Sequence, residues 1–165
     1  VYGFRRSPLS IYMEFVGGGD LLGLIEKKGF SSSQGYELIR DIASAMAFLH
    51  ELGYIHRDLK PANILIQEFS PGKYRAKLCD FGGTTFAFAG NEIRSAHGTS
   101  RFEAPEIIQQ YKEKNLDFSY CQACDVYSFA MIMYCILAKT NTPLEEFSSH
   151  DVGDAVLAGH RPKLP

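Results

Sequence analysis

The chain has 165 residues, of which 45% are hydrophobic and 22% charged, with a formal net charge of -2. That balance excludes wholesale disorder and supports one soluble globular domain with a sizeable core, while the near-neutral charge excludes a broad field for gripping nucleic acid or an anionic membrane. No apolar run approaches the roughly 20 residues that cross a bilayer, and the first residues lack the apolar stretch of a signal peptide, so the expected setting is cytoplasmic.

In chain order, the run Ile11 to Val16 reads as a strand broken by Gly17, Gly18 and Gly19. Asp20 then caps a short helix through Leu21, Leu22 and Ile25 that ends at Gly29. Ser31 and Gln34 have capping-box spacing. Leu38, Ile42, Ala45 and Leu49 recur at the helical period, with Ile39 and Met46 widening the stripe, which predicts a long buried helix. Short β-like runs follow at Tyr54 and Ile55, at Ile64 to Ile66 and at Ala76 to Cys79. Ser70, Pro71 and Gly72 separate the last two, so small hairpins are expected beside the helix. From Phe81 to Ser100 the chain is Gly, Thr, Ser and Ala without a period, the signature of a long functional or disordered loop. Val126, Phe129, Ala130, Met133, Ile136 and Leu137 are apolar around most of a turn, which predicts the most buried helix of the chain. A shorter helix from Val152 to Leu157 is closed by Gly159 and Pro162.

The cysteines are Cys79, Cys121, Cys124 and Cys135, and Cys121 with Cys124 form a CxxC pair. A zinc site needs a second Cys or His pair at ligand spacing, and a redox motif is expected to follow a strand; neither is evident. The plain reading is reduced thiols near the start of a helix.

Phosphoryl transfer needs a carboxylate to position the acceptor, a cation on the moving phosphate and oxygen ligands for Mg²⁺, all on rigid backbone. Residues His56, Arg57, Asp58, Leu59, Lys60, Pro61, Ala62 and Asn63 spell HRDLKPAN, and seventeen residues beyond Asn63 stand Asp80, Phe81 and Gly82, or DFG. Singly, Asp58 reads as a turn residue, Lys60 as a solvated charge and His56 as a core histidine. In this order and spacing the two motifs resemble the catalytic loop and metal-binding triplet of eukaryotic-type protein kinases, whose general template assigns the roles that follow.

By that resemblance Asp58 is the catalytic base, Lys60 offsets charge on the γ-phosphate, and Asn63 and Asp80 ligate Mg²⁺. Gly98 through Glu106, ending in APE, resembles the close of an activation segment. Thr99 matches the threonine that bonds the catalytic Asp and Lys in Ser/Thr kinases, and Lys60 is itself typical of them. DVYSFAMIMYCIL, from Asp125 to Leu137, resembles the central helix, with Asp125 holding the backbone of the HRD motif. Met13, Glu14, Phe15 and Val16 resemble the hinge, with Met13 as gatekeeper and the backbone of Glu14 and Val16 bonding adenine. Asp20 then reaches the ribose, Leu65 floors the adenine site, and His56 and Phe81 join a regulatory stack. Arg57 implies a loop ordered by phosphate on Thr84, Thr85, Ser95 or Ser100, added by an activating kinase or by autophosphorylation. The DVYSF helix and the closing GHRPKLP lean toward the tyrosine-kinase-like branch of Ser/Thr kinases.

The implied fold is α+β: the C-terminal lobe of a protein kinase domain, mainly helical, with short β-hairpins carrying the catalytic loop. Residues 1–20 correspond to the end of the N-lobe and the hinge, and residues 21–165 to a C-lobe lacking its last helices. The glycine-rich phosphate loop, the strand lysine and its glutamate partner are not among these residues, nor is the arginine that pairs with the glutamate matching Glu106. Glu106 is therefore expected to be unpaired and the fragment by itself nearly inactive. Gly83, Thr84, Glu103, Tyr134 and Cys135 depart from the family pattern without removing a catalytic atom. The implied activity is ATP- and Mg²⁺-dependent phosphorylation of protein Ser or Thr hydroxyls. The alternative is a pseudokinase or scaffold that binds protein partners, to be told apart by the residues upstream.

Overall fold

Two helices begin where the sequence places polar caps. In the computed structural model, which describes residues 1–87, 101–114 and 120–164, Asp20 Oδ1 accepts from the Gly23 N–H at 2.8 Å and starts α1 (Leu21–Glu26). Ser31 and Gln34 close the reciprocal capping box that starts α2 (Ser32–Glu51). Such caps satisfy N–H groups that a first helical turn otherwise leaves open.

The strands form three antiparallel pairs. β1 (Gly3–Arg6) pairs with β2 (Leu9–Tyr12), β3 (Tyr54–Ile55) with β6 (Thr85–Phe86), and β4 (Ile64–Ser70) with β5 (Lys73–Leu78). The strand expected at Ile11 to Val16 is corrected to Leu9–Tyr12. Gly3 lies opposite Tyr12 and ends the ladder, so Met13 to Val16 has no strand partner among the described residues. β6 corrects the expectation of an unstructured loop from Phe81. Its two residues are too few to show a period, and they are held by Ala87 N–H on the Gly53 carbonyl at 2.7 Å and by an edge contact between Tyr54 and Phe86. A short 3-10 turn at Phe81–Gly83 precedes β6, and residues 88–100 of the expected loop lie outside the described residues.

Three helices complete the fold: α3 (Pro105–Glu113), α4 (Gln122–Ala138) and α5 (Val152–Leu157). α3 was not legible as a helix beforehand, although Pro105 at its first position and buried Ile107 and Ile108 explain it. The main core joins Leu21 and Ile25 of α1, Leu38 and Ile42 of α2, Ile64 and Ile66 of β4, and Ile132 and Ile136 of α4. A second cluster packs Ile55 against Ala104, Ile107, Tyr120 and Cys124, and a third joins Ile108 to Leu144, Val152 and Val156. α4 therefore faces a core along most of its length, while Val126 remains exposed.

The bend after Val16 is stapled to the hairpin. Ile66 N–H donates to the Gly19 carbonyl at 2.8 Å, and Asp20 bridges Leu65. This close approach requires glycine, because a Cβ on Gly18 would stand 2.2 Å from the Ile66 carbonyl oxygen, backbone that cannot rotate aside. Gly18→Ala is expected to destabilise the fold by about 1 to 3 kcal/mol, against less than about 0.5 kcal/mol for Gly17→Ala, as read by urea denaturation of the two variants.

Candidate active site

The segment from His56 to Asn63 leaves β3, passes through a short 3-10 turn at Pro61–Asn63 and enters β4. Its start is held by Asp125, in the first turn of α4 and only 1% exposed. Asp125 Oδ2 accepts from the His56 N–H at 2.8 Å and Oδ1 from the Arg57 N–H at 2.9 Å. Oδ2 also accepts from His50 Nε2, at 2.8 Å, in the last turn of α2. A carboxylate taken so fully out of water is costly unless its lone pairs are met, and here three donors meet them. Arg57 is thereby kept at φ 73, a left-handed conformation that costs a side chain on the order of 1 to 3 kcal/mol. Its guanidinium stacks on the Tyr120 ring, 4.6 Å from the centroid.

His56 is completely buried. Asp58 N–H donates to its Nδ1 at 3.4 Å, so Nδ1 is the acceptor and Nε2 carries the hydrogen that meets the Cys79 carbonyl at 3.0 Å. The same ring lies 5.3 Å from that of Phe81. One neutral imidazole thus joins the Asp58 loop to the residues around Asp80.

Asp58, Lys60 and Asn63 come together directly. Lys60 Nζ reaches Asp58 Oδ1 at 3.0 Å and Oδ2 at 2.8 Å, with both side chains partly exposed. Asn63 Nδ2 donates to the Asp58 carbonyl at 2.8 Å and to Oδ2 at 2.9 Å. The open end of the β4–β5 hairpin then brings in Asp80. Ile64 pairs with Leu78, and Cys79 N–H donates to the Asn63 carbonyl at 3.0 Å, so Asn63 and Asp80 flank the same ladder end. Asp80 is also left-handed, at φ 59 and ψ 66, and its exposed carboxylate caps the turn at Phe81–Gly83 through a long contact with Gly82 N–H. Burial first, then the carboxylates of Asp80 and Asp20, push the Cys79 thiol up.

These residues fit a magnesium–nucleotide group. The Asn63 amide nitrogen is committed to Asp58, which leaves its Oδ1 as a neutral oxygen donor beside the anionic Asp80, and hard oxygen donors of this kind suit Mg²⁺ alongside phosphates and water. Among the described residues no three His, Cys, Asp or Glu side chains converge as a protein-only metal site.

Along the other edge of the hairpin, Leu65 is half buried opposite Asp20, whose Oδ1 is engaged on Gly23. Glu14 forms an ion pair with Lys77 at 2.5 Å, Val16 is half buried and Met13 exposed. Glu106 has a partner after all: the Cys124 thiol donates to its Oε1 at 3.4 Å from the first turn of α4. Thr99, with Ser95 and Ser100, lies outside the described residues. The sequence reading missed His50 and Arg101. The place of His50 at a helix C-terminus was its one available signal. Arg101 is 9% exposed and donates to the carbonyls of Pro143, Leu144 and Phe147, contacts no local pattern foretells.

The chain is similar over residues 3–158 to the family model described as the protein kinase domain. It is 37% identical over 135 residues to a probable serine/threonine-protein kinase of Dictyostelium discoideum, with 81% of this chain and 8% of that protein covered. With a serine/threonine-protein kinase of Saccharomyces cerevisiae it shares 35% identity over 147 residues, covering 82% and 17%. With a calcium-dependent protein kinase of Oryza sativa the figures are 34% over 151 residues, 91% and 26%. The chain thus spans about a quarter or less of each of these relatives. No helix among the described residues is long and apolar enough to cross a membrane.

Replacing Asp125 with Ala strands the His56 and Arg57 N–H groups and the His50 ring, and is expected to destabilise the fold by about 3 kcal/mol or more. Asp125→Asn retains one acceptor and should cost less. Urea denaturation ranks the variants, and amide hydrogen exchange should speed up at His56 and Arg57 in both.

Proposed function

The chain belongs to the protein kinase domain family, and we propose that it is the catalytic-loop-bearing part of an ATP-dependent protein serine/threonine kinase. The observation that carries this reading is the convergence of Asp58, Lys60 and Asn63 on one another, with Asp80 beside Asn63 at the same hairpin end. The Asp58 and Lys60 side chains are partly exposed, which leaves the carboxylate open to an acceptor from solvent.

In this reading Asp58 takes the proton of the incoming hydroxyl at a carboxylate oxygen whose orientation is fixed by the Asn63 amide. Lys60, within 3.0 Å of both Asp58 oxygens, sets a positive charge beside the line of transfer, where charge spreads over the phosphoryl oxygens. Asn63 Oδ1 and the Asp80 carboxylate would hold Mg²⁺, which when bound neutralises phosphate charge. The backbone of Glu14 and Val16 would bond adenine, with Met13 and Leu65 against the ring and Asp20 toward the ribose. Lys60 and Thr99 support Ser/Thr over Tyr as acceptor. The DVYSF and GHRPKLP segments support the tyrosine-kinase-like branch, and dependence on ATP supports a cytoplasmic setting. Arg57 supports control by phosphate on a nearby hydroxyl, with Thr84 and Thr85 as the described candidates. Residues 1–20 would serve as the end of the N-lobe and the hinge, and residues 21–165 as C-lobe.

Full-length protein incubated with ATP, Mg²⁺ and mixed peptide acceptors is expected to phosphorylate Ser and Thr and to spare Tyr. Asp58→Asn should lower kcat by roughly 10² to 10⁴ while leaving ATP binding near its original strength. A folded, loop-phosphorylated protein that transfers no phosphate would instead support a scaffold. Asp80→Ala is expected to abolish the Mg²⁺-dependent rise in Tm that ATP produces in the unaltered protein, a readout independent of turnover.

A further inference from the structure

The mechanism makes no use of the CxxC pair, yet that pair sits where the site is anchored. Cys121 is exposed and immediately precedes the first turn of α4; Cys124 lies in that turn and is buried against Ile55, Ala104 and Ile107. Both are thiols, and their sulfurs are 3.8 Å apart. A disulfide requires about 2.05 Å, so the sulfurs must close by about 1.7 Å, which a change of rotamer at an exposed side chain can supply.

We propose that Cys121 and Cys124 are a peroxide-responsive thiol pair whose disulfide loosens the attachment of the catalytic loop and of α3 to α4. The exposed Cys121 sulfur attacks the outer oxygen of a hydroperoxide, the O–O bond breaks, and the alcohol or water departs, leaving a sulfenic acid. The Cys124 sulfur then attacks the Cys121 sulfur, the S–O bond breaks, and hydroxide leaves with the Cys124 proton as water. Two thiols lose two electrons and the peroxide gains them. Exposure assigns the first step to Cys121, since a hydroperoxide in solvent reaches it and does not reach the buried Cys124, whose thiol burial pushes up.

The consequences follow from what Cys124 touches. Its S–H donates to Glu106 Oε1, at the start of α3, and no S–H survives in a disulfide. Its carbonyl accepts from Ser128 Oγ at 3.1 Å, and the same hydroxyl meets the Phe102 carbonyl at 2.6 Å. The next residue is Asp125, which holds His56 and Arg57. Once Cys121 has swung over, the bond removes the Cys124 hydrogen bond to Glu106 and constrains the side chain of Cys124, in the turn that fixes both segments bordering Asp58.

The test oxidises reduced full-length protein with hydrogen peroxide, followed by alkylation, peptide mass mapping and hydrogen exchange. The expected result is a 121–124 disulfide reversed by dithiothreitol, with exchange at His56 and Arg57 faster by several-fold, and neither change in Cys121→Ser. These readouts do not depend on kinase activity, so they stand or fall separately from the proposed function. Where transfer is measured, it should fall at least threefold on oxidation and recover on reduction. A 121–124 peptide that stays reduced, or carries only sulfinic or sulfonic acid, overturns the pair. A disulfide that leaves exchange at His56 and Arg57 unchanged overturns its coupling to the loop.

Discussion

Everything around the site depends on one buried carboxylate. Asp125 has almost no contact with water, and the desolvation of such a charge costs several kcal/mol after relaxation. Its lone pairs are met by two consecutive backbone N–H groups and an imidazole N–H, which come from different parts of the chain. The same three bonds therefore tie α2, α4 and the segment from His56 to Asn63 into one body. They also supply what the loop cannot supply for itself, since Arg57 occupies a left-handed conformation that an isolated peptide would leave. The bonds from His50, His56 and Arg57 offset both the strain at Arg57 and the charge burial at Asp125, and the result is a backbone that delivers Asp58 in one orientation.

The second frame is the β4–β5 hairpin. It is fastened to α2 by Asp41, which accepts from Arg75 and from the Ala76 N–H, and by Gln34 on the Gly72 carbonyl. It is fastened to the segment before α1 through Gly19 and Ile66. With its closed end pinned, its open end holds Asn63 and Asp80 in register. His56 then spans the two frames, accepting from Asp58 and donating to Cys79. Fixed donors and acceptors of this kind need no reorganisation when charge moves, which is where electrostatic catalysis draws its advantage.

The helices were legible because periodicity and capping are local: Asp20, Ser31 and Gln34 act within four residues of themselves. The β4–β5 hairpin was legible through its turn, although both strands run longer than their apolar cores, since ladder bonds continue past the last buried residue. What stayed hidden is non-local. β1, β6 and the end of β2 are set by pairing partners, and Arg101 finds three carbonyls more than forty residues away in a loop with no pattern of its own. The site residues themselves were named through family resemblance. Composition and spacing around Asp58 and Asp80 say nothing of their approach, which is made by the hairpin register and by a histidine ring.

The first turn of α4 concentrates this dependence further. Within it, or one turn on, Gln122 holds the His50 carbonyl, Cys124 meets Glu106, Asp125 carries the loop and Ser128 meets Phe102. An apolar core spreads its contribution over many small contacts, so one altered side chain relaxes into its neighbours. A buried polar junction does not share that tolerance. Each donor or acceptor that loses its partner incurs its full desolvation cost, and neighbours polarised by it weaken together. A chemical change at a single turn is therefore transmitted to the His56–Asn63 segment and to the start of α3 through hydrogen bonds, alongside any shift of the Ile55 cluster that Cys124 belongs to. That asymmetry gives a small reaction at Cys121 and Cys124 leverage on a site whose own residues it never touches.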